Sequence, residues 1–134
     1  MLDETAHLAV GLLVARVRPP DERVGVVTGA MAIDADHVPH ELLGHEALRA
    51  GARGRPYPHT VFTPLALAAA ARRWPFWRGA MIGVAAHLAR DLTDPTCGVK
   101  LLWPLSHREM QVPQPLYALA IGALAARPST RPRA

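Results

Sequence analysis

Five short apolar runs, separated by prolines, glycines and charged residues, constrain the fold of this chain more than any other feature of its sequence. They cover residues 8–15, 24–33, 61–71, 79–89 and 116–126. Each run is far shorter than the ~20 residues that a helix needs to cross a bilayer, so the runs predict helices of a buried core. Alanine and leucine dominate them, and aromatic residues are only 5% of the chain. This composition favours packed helices over sheets and predicts an all-α fold.

Prolines and loop residues divide the chain into about six predicted helices, which we expect to form one compact bundle at residues 1–126. Pro19 and Pro20 end the first helix, and Asp21 is in position to cap the second. Residues 127–134 follow as a flexible basic tail. The predicted helices cover about residues 3–17, 22–33, 39–50, 60–73, 75–92 and 115–126.

The net charge of +4 comes largely from arginines in the loop at residues 49–55 and in the tail. Such runs are either solvated segments or contacts for an anionic surface, and we infer no specific nucleic-acid binding from them. Cys97 is the only cysteine, which excludes an internal disulfide and favours a reducing compartment. Asp3 and Glu4 stand where a secretory signal would carry basic residues, so a cytoplasmic location is expected.

Residues 29–46, GAMAIDADHVPHELLGHE, gather two aspartates, three histidines and two glutamates. Within them, HELLGH resembles at first sight the His-Glu-x-x-His helix of zinc proteases. His40 and His45 are five residues apart, however, which is about 500° of rotation on an α-helix and directs their rings about 140° apart. This spacing excludes a zinc-protease helix and predicts that His45 lies outside any metal site.

A stronger candidate site begins with His87 and Asp91, which are four residues apart in GVAAHLARDLT and share one face of an apolar helix. Burying an ionised carboxylate without compensation costs several kcal/mol, so this aspartate requires a partner. The two side chains form either a chelating pair or a simple buried hydrogen bond.

Other potential metal ligands lie elsewhere in the sequence. His7 is in the middle of an apolar helix, where a histidine is either a ligand or a satisfied core residue. Asp34 and Asp36 flank Ala35, so both carboxylates can approach one site or can cap the following helix. His59 begins a helix after the loop residues RPYP, at a corner of the kind on which sites are often built.

The segment ARRWPFWR, residues 71–78, mixes three aromatic residues with three arginines. This combination is typical of peripheral contact with a membrane surface. The alternative is a loop between helices whose aromatic rings cap the core.

The chain resembles the YdjM-like family of LexA-binding, inner-membrane-associated metal-dependent hydrolases. The resemblance covers about residues 6–106 and rests on His7-x-x-x-Gly11, IDADH, RPYPHT, HLARD and LTDPTCGVKLLWPLS, in that order. Ile33 stands where the family has proline, and Pro58 and Thr60 stand for its threonine and serine. The resemblance implies a metal-dependent hydrolase that is cytoplasmic, or peripheral or integral at the inner membrane.

A more distant resemblance points to zinc-dependent phospholipase C and single-strand nucleases, all-α enzymes with His-x-x-x-Asp helices and a bridging aspartate. It implies one ion held by His59, His87 and Asp91 together with Asp36. A second ion would be held by His7 and Asp34, with Asp91 as the bridge, and no counterpart for a third ion is present. The ligand set implied by this resemblance is therefore His7, Asp34, Asp36, His59, His87 and Asp91.

Mixed imidazole and carboxylate ligands suit zinc best, with manganese and iron as alternatives, better than they suit calcium or magnesium. One or two such ions activate water at neutral pH and bind the oxygens of a phosphoester. Asp34 would then act as the base, and Arg55 or Arg90 would pair with phosphate, unless these arginines are merely exposed. We therefore expect a metal-dependent hydrolase of a small-molecule or lipid phosphoester with an interior metal site. The alternative function is a non-catalytic module, stapled by metal, that binds a lipid surface or a protein partner.

Overall fold

The computed structural model describes residues 2–36, 58–95 and 98–130, and in these ranges it contains five α-helices. A 3₁₀ turn at Ile33–Asp36 follows the second helix directly. Within the described ranges, the only β pairing is an isolated antiparallel bridge between Val99 and Met110. The all-α prediction is confirmed. The helices are α1 Leu2–Arg16, α2 Pro20–Ala32, α3 Phe62–Ala71, α4 Pro75–Asp91 and α5 Gln114–Ala125.

These five helices correspond to five of the six predicted from the sequence, and the sixth, at residues 39–50, lies outside the described residues. The predicted start of α2 was wrong. Pro20 is its first residue and Pro19 its N-cap, so Asp21 lies within the first turn instead of capping the helix. Proline is favoured at this position because the first helical N–H has no partner within the helix, and an acidic side chain there stabilises the helix dipole.

Helices α2 and α4 pack with their backbones in direct contact. A Cβ atom at Gly25 or Gly29 of α2 would overlap backbone oxygens of α4. In the same way, one at Gly79 or Gly83 of α4 would overlap backbone oxygens of α2. In both helices the glycines are four residues apart, the small-residue spacing that allows close helix pairs in membrane proteins. This contact fixes the position of α4, which carries His87 and Asp91, relative to the end of α2.

The other helices surround this pair. Helix α1 packs on α2 where Gly11 faces Ala30, and α3 packs on α4. Ile33, Val84 and Leu88 form the buried apolar cluster next to the end of α2. The core is therefore concentrated where α2 passes into its 3₁₀ turn.

Glu22, in the first turn of α2, is a buried acid whose charge is neutralised by arginines. Its Oε2 accepts hydrogen bonds from Nε and Nη2 of Arg18 at 2.9 and 2.6 Å, and its Oε1 accepts one from Nη1 of Arg78 at 3.2 Å. Since both carboxylate oxygens have charged donors, the ion pairs account for the burial of this residue. They link the first turn of α2 to α4.

Helix α5 packs loosely and leaves most of its apolar surface exposed, including Leu116 at 59% and Leu119 at 72%. The segment after it returns to the bundle, where the Thr130 N–H donates to the Arg16 carbonyl at 3.2 Å and Nη2 of Arg23 donates to Thr130 Oγ1 at 3.0 Å. The sequence predicted a flexible tail from residue 127 onward. These hydrogen bonds hold its first part, and flexibility stays a prediction for residues 131–134.

Candidate metal centre

Five side chains from four segments converge in the interior of the bundle. The residues are His7 of α1, Asp34 of the 3₁₀ turn, His59 just before α3, and His87 and Asp91 of α4. Four of them are buried to within 1% exposure, and only Asp34, with a side chain 14% exposed, reaches solvent. We call this group the His/Asp cluster.

The donor atoms around Nε2 of His87 are spaced like the ligands of one metal ion. This nitrogen lies 3.3 Å from Oδ1 of Asp34, 3.2 Å from Oδ2 of Asp91 and 3.2 Å from Nε2 of His59. Nε2 of His59 is in turn 3.2 Å from the same Asp34 oxygen and 3.5 Å from the same Asp91 oxygen. Tetrahedral ligands at ~2.0–2.1 Å from zinc are about 3.3–3.4 Å apart, so these separations fit the edges of one such shell.

His7 completes the cluster from its other side. Its ring stacks on that of His87 with centroids 3.7 Å apart and an interplanar angle of 12°. Its Nε2 lies 3.3 Å from Oδ1 of Asp91, whereas Oδ2 of Asp91 faces His59 and His87. The two oxygens of Asp91 thus face different histidines, as expected of a carboxylate that bridges two sites or orients a neighbouring ligand.

A backbone contact orients His87. Its Nδ1 is 2.7 Å from the carbonyl oxygen of Ala30, which is one of the last four carbonyls of α2 and so lacks a regular helical partner. Donation from Nδ1 to this oxygen leaves the lone pair of a neutral ring on Nε2, directed at two carboxylates. That arrangement requires a cation, either a proton or a metal ion, and hydrogen bonding through the second ring nitrogen is the usual support for a metal-ligating histidine.

The pKa values of His87 and Asp34 also indicate that the cluster needs a cation. Burial alone would lower the pKa of His87, but hydrogen bonds and charges from Asp34 and Asp91 outweigh it and raise this pKa from 6.5 to about 9. Burial would likewise raise the pKa of Asp34, yet the hydrogen bonds to His59 and His87 and the charges of the histidines hold it well below its usual range. Without a metal ion, a proton on His87 takes the place of the cation.

This pKa shift predicts how stability depends on pH after metal removal. A raised pKa for His87 stabilises the fold fully below pH 6.5, and this contribution is lost as the pH rises through about 9. The loss is on the order of 3 kcal/mol. Asp34 has a lowered pKa, so it stabilises the fold at any pH above its ordinary pKa and loses this stabilisation only in acid. Chemical denaturation in a chelator at pH 6 and pH 9 should therefore give the lower free energy of unfolding at pH 9.

The zinc-loaded protein serves as the comparison. Metal binding requires neutral imidazole, so its stability should rise between about pH 5.5 and 7, when histidines of the unfolded chain lose their protons. Equal stability of the metal-free protein at pH 6 and pH 9 would contradict the assignment of the proton to His87.

The structure brings together five of the six residues that the resemblance implied as ligands: His7, Asp34, His59, His87 and Asp91. The grouping within the cluster differs in one respect. The resemblance assigned Asp34 to the second ion, whereas in the structure Asp34 lies against His59 and His87, which were assigned to the first. The side chain of Asp36 lies outside the described residues. So do Arg55, Cys97 and the HELLGH segment.

Two sets of donors among the described residues can hold an ion. His59, His87 and Asp91 form a fully buried set, and His7, Asp34 and His87 form a second set that reaches solvent through Asp34. Since Nε2 of His87 belongs to both and can bind only one ion, two ions cannot use both sets in full.

Reasoning from the sequence missed two features that support this cluster. One is the Ala30 carbonyl, whose role depends on where α2 ends. The other is the glycine contact between α2 and α4, for which a signal was present in the matched spacing of Gly25 with Gly29 and Gly79 with Gly83.

The aromatic residues of ARRWPFWR are exposed, with Trp74 at 53%, Phe76 at 37% and Trp77 at 40%. Phe76 and Trp77 meet edge to face with centroids 5.3 Å apart, and the Arg73 guanidinium lies 5.9 Å from the Trp74 ring centre. The interpretation in which this segment caps the core does not describe Trp74, more than half of which faces solvent.

The sequence model of the YdjM inner membrane protein family matches residues 2–131 of this chain. The chain belongs to the YdjM family. Searches of curated proteins and of solved structures found no match. Among the described helices of this YdjM protein, none combines the length and the apolar character needed to cross a bilayer.

Proposed function

We propose that this YdjM protein is a metal-dependent hydrolase of phosphoesters that works at a membrane surface. The observation that carries the proposal is the His/Asp cluster, in which five donors from four segments approach one another at 3.2–3.5 Å with only Asp34 reaching solvent. A catalytic metal site differs from a structural one by an open position, and the edge at Asp34 is where water or substrate would enter.

The donor set fits zinc, with manganese or iron as alternatives, because it combines imidazole and carboxylate groups. His59, His87 and Asp91 would hold the ion, and Asp34 would complete the shell or yield its place to water. His7 would either orient Asp91 or bind a second ion, with Asp91 as the bridge between the two ions. Such an ion supplies a water activated at neutral pH and positive charge for phosphoryl oxygens.

Asp34 would act on the attacking water from the solvent edge of the cluster. Its pKa lies well below the usual range, so the carboxylate stays ionised at neutral pH. A weakly basic carboxylate is better suited to orienting a water by accepting its hydrogen bond than to retaining the proton. Arg55, four residues before His59 in the sequence, would pair with a phosphate oxygen, as bidentate guanidinium groups do.

Hydrolysis of bis(4-nitrophenyl) phosphate by the zinc- or manganese-loaded protein tests the proposal. We expect Asp34→Asn to lower kcat about 100-fold or more, in the range seen when a positioned catalytic group is removed. Arg55→Ala should raise KM and lower kcat, whereas Arg53→Ala, two residues away in the sequence, is the matched control and should do neither. Metal content of each variant is measured in parallel.

A protein that binds metal but hydrolyses no phosphomonoester or phosphodiester above the rate of the free ion would contradict this function. That outcome would favour the non-catalytic module, in which the same ion staples the bundle and the exposed aromatic segment contacts lipid. Both functions are consistent with a peripheral location at the inner membrane.

A further inference from the structure

An apolar groove runs between α2, α3 and α4 next to the His/Asp cluster. Its volume is about 400 Å³, within the range of about 300–1,000 Å³ that is typical of ligand pockets. Thr63 contributes to its wall, but its hydroxyl already donates to the Pro58 carbonyl at 2.5 Å. Apart from the Thr28 hydroxyl, the groove therefore offers an apolar surface, formed chiefly by Ala32, Ile33, Pro58, Leu67, Trp77 and Val84.

Three residues that line this groove are close in the sequence to residues of the His/Asp cluster. Ile33 directly precedes Asp34, and Pro58 directly precedes His59. Val84 is three residues before His87 and so lies on nearly the same face of α4. A molecule that fills the groove would bring its end close to the donor atoms.

The groove also opens to the aromatic segment. Phe76 and Trp77 both line it and are 37% and 40% exposed. Arg72, Arg73 and Arg78 flank these rings in the sequence and have exposed side chains. Aromatic rings beside cations suit the boundary between lipid headgroups and acyl chains.

We propose that the groove holds one hydrocarbon chain of a phosphorylated membrane lipid while the phosphoryl group lies at the His/Asp cluster. This inference rests on the proposed hydrolase function and specifies its substrate class. The volume is at the lower end of the range for ligand pockets, which fits one chain better than two. A peptide or a nucleotide base would bring polar groups that need hydrogen-bond partners, and this wall provides few.

Binding of ethyl, butyl and octyl phosphate to the zinc-loaded protein, measured by calorimetry below micelle-forming concentrations, tests the proposal. Burial of each added methylene should tighten binding about fourfold while the chain still fits, so octyl phosphate should bind at least 100-fold more tightly than ethyl phosphate. Affinities of octyl and ethyl phosphate within threefold of each other would overturn the proposal.

Two exposed positions that line the groove allow it to be blocked without disturbing the core. Ala32→Phe is expected to weaken octyl phosphate binding at least tenfold and to leave ethyl phosphate binding unchanged, and Thr28→Phe repeats the test at a second position. Ala85→Phe is the matched control, because Ala85 is exposed on α4 and does not line the groove. Equal weakening by Ala32→Phe and Ala85→Phe would overturn the proposal.

Flotation with phosphatidylglycerol vesicles tests whether the hydrocarbon chain in the groove belongs to a membrane lipid. The protein should float at low salt, and Phe76→Ser with Trp77→Ser should abolish flotation, whereas Leu105→Ser, at an 80% exposed site elsewhere, should not. A protein that stays in solution at low salt would overturn the membrane source.

The outcomes separate this inference from the function on which it rests. Hydrolysis of bis(4-nitrophenyl) phosphate without any preference for longer alkyl chains would overturn the groove assignment and leave the hydrolase intact. Tight, groove-dependent binding of octyl phosphate without hydrolysis of any phosphoester would overturn the hydrolase and support the chain-binding groove.

Discussion

A His87→Ala variant is expected to bind zinc at least about 100-fold more weakly than the natural protein. Loss of a mere hydrogen-bond partner of a ligand already costs about 10–100-fold in metal affinity, and His87 would be a ligand itself. Its Nε2 lies within 3.2–3.3 Å of three other donors, so the variant loses the atom around which they converge. Mass spectrometry of metal content on untagged protein measures the effect.

His107→Ala is the control for this variant, since His107 is exposed and lies in the loop between α4 and α5. His45→Ala should also retain metal, because its spacing from His40 excludes a shared ion. Equal loss of metal in the His45 and His87 variants would contradict the cluster and restore the zinc-protease interpretation of HELLGH. A natural protein with no bound metal after purification and reconstitution would remove the basis of the proposed function.

Replacement of Gly83 by alanine is expected to lower the free energy of unfolding by about 3 kcal/mol or more. An added methyl group there would overlap the backbone oxygen of Val26, which cannot move away by a change of rotamer. Overpacking of cores typically costs 1–3 kcal/mol, and a clash between two helix backbones belongs at the upper end. The shift of α4 would also separate His87 from the Ala30 carbonyl, so zinc affinity should fall as well.

Gly122→Ala is the matched control, since a Cβ atom at this helical glycine meets nothing within 4 Å. Alanine has the higher helix propensity, so this variant should be neutral or more stable by about 0.5–1 kcal/mol. Thermal and urea unfolding of both variants decide the comparison. Similar stability for the two would mean that α2 and α4 are not held in contact by their glycines.

Features that depend on local periodicity follow from the sequence alone. Short apolar runs predict helices too short to span a bilayer, and five of these helices are present in the described residues. The four-residue spacing of His87 and Asp91 places both side chains on one face of a helix whatever the rest of the chain does. The same arithmetic separates His40 from His45, which lie outside the described residues, so that exclusion stays a prediction.

Tertiary packing decided which donors meet. The sequence left open whether Asp34 reaches a site or caps a helix, and the end of α2 and the direction of its 3₁₀ turn bring it to His59 and His87. No local pattern shows that α1 approaches α4 closely enough for His7 to stack on His87. Contacts between residues distant in the chain depend on how helices cross, and the glycine contact between α2 and α4 sets the crossing that brings His87 and Asp91 to the end of α2.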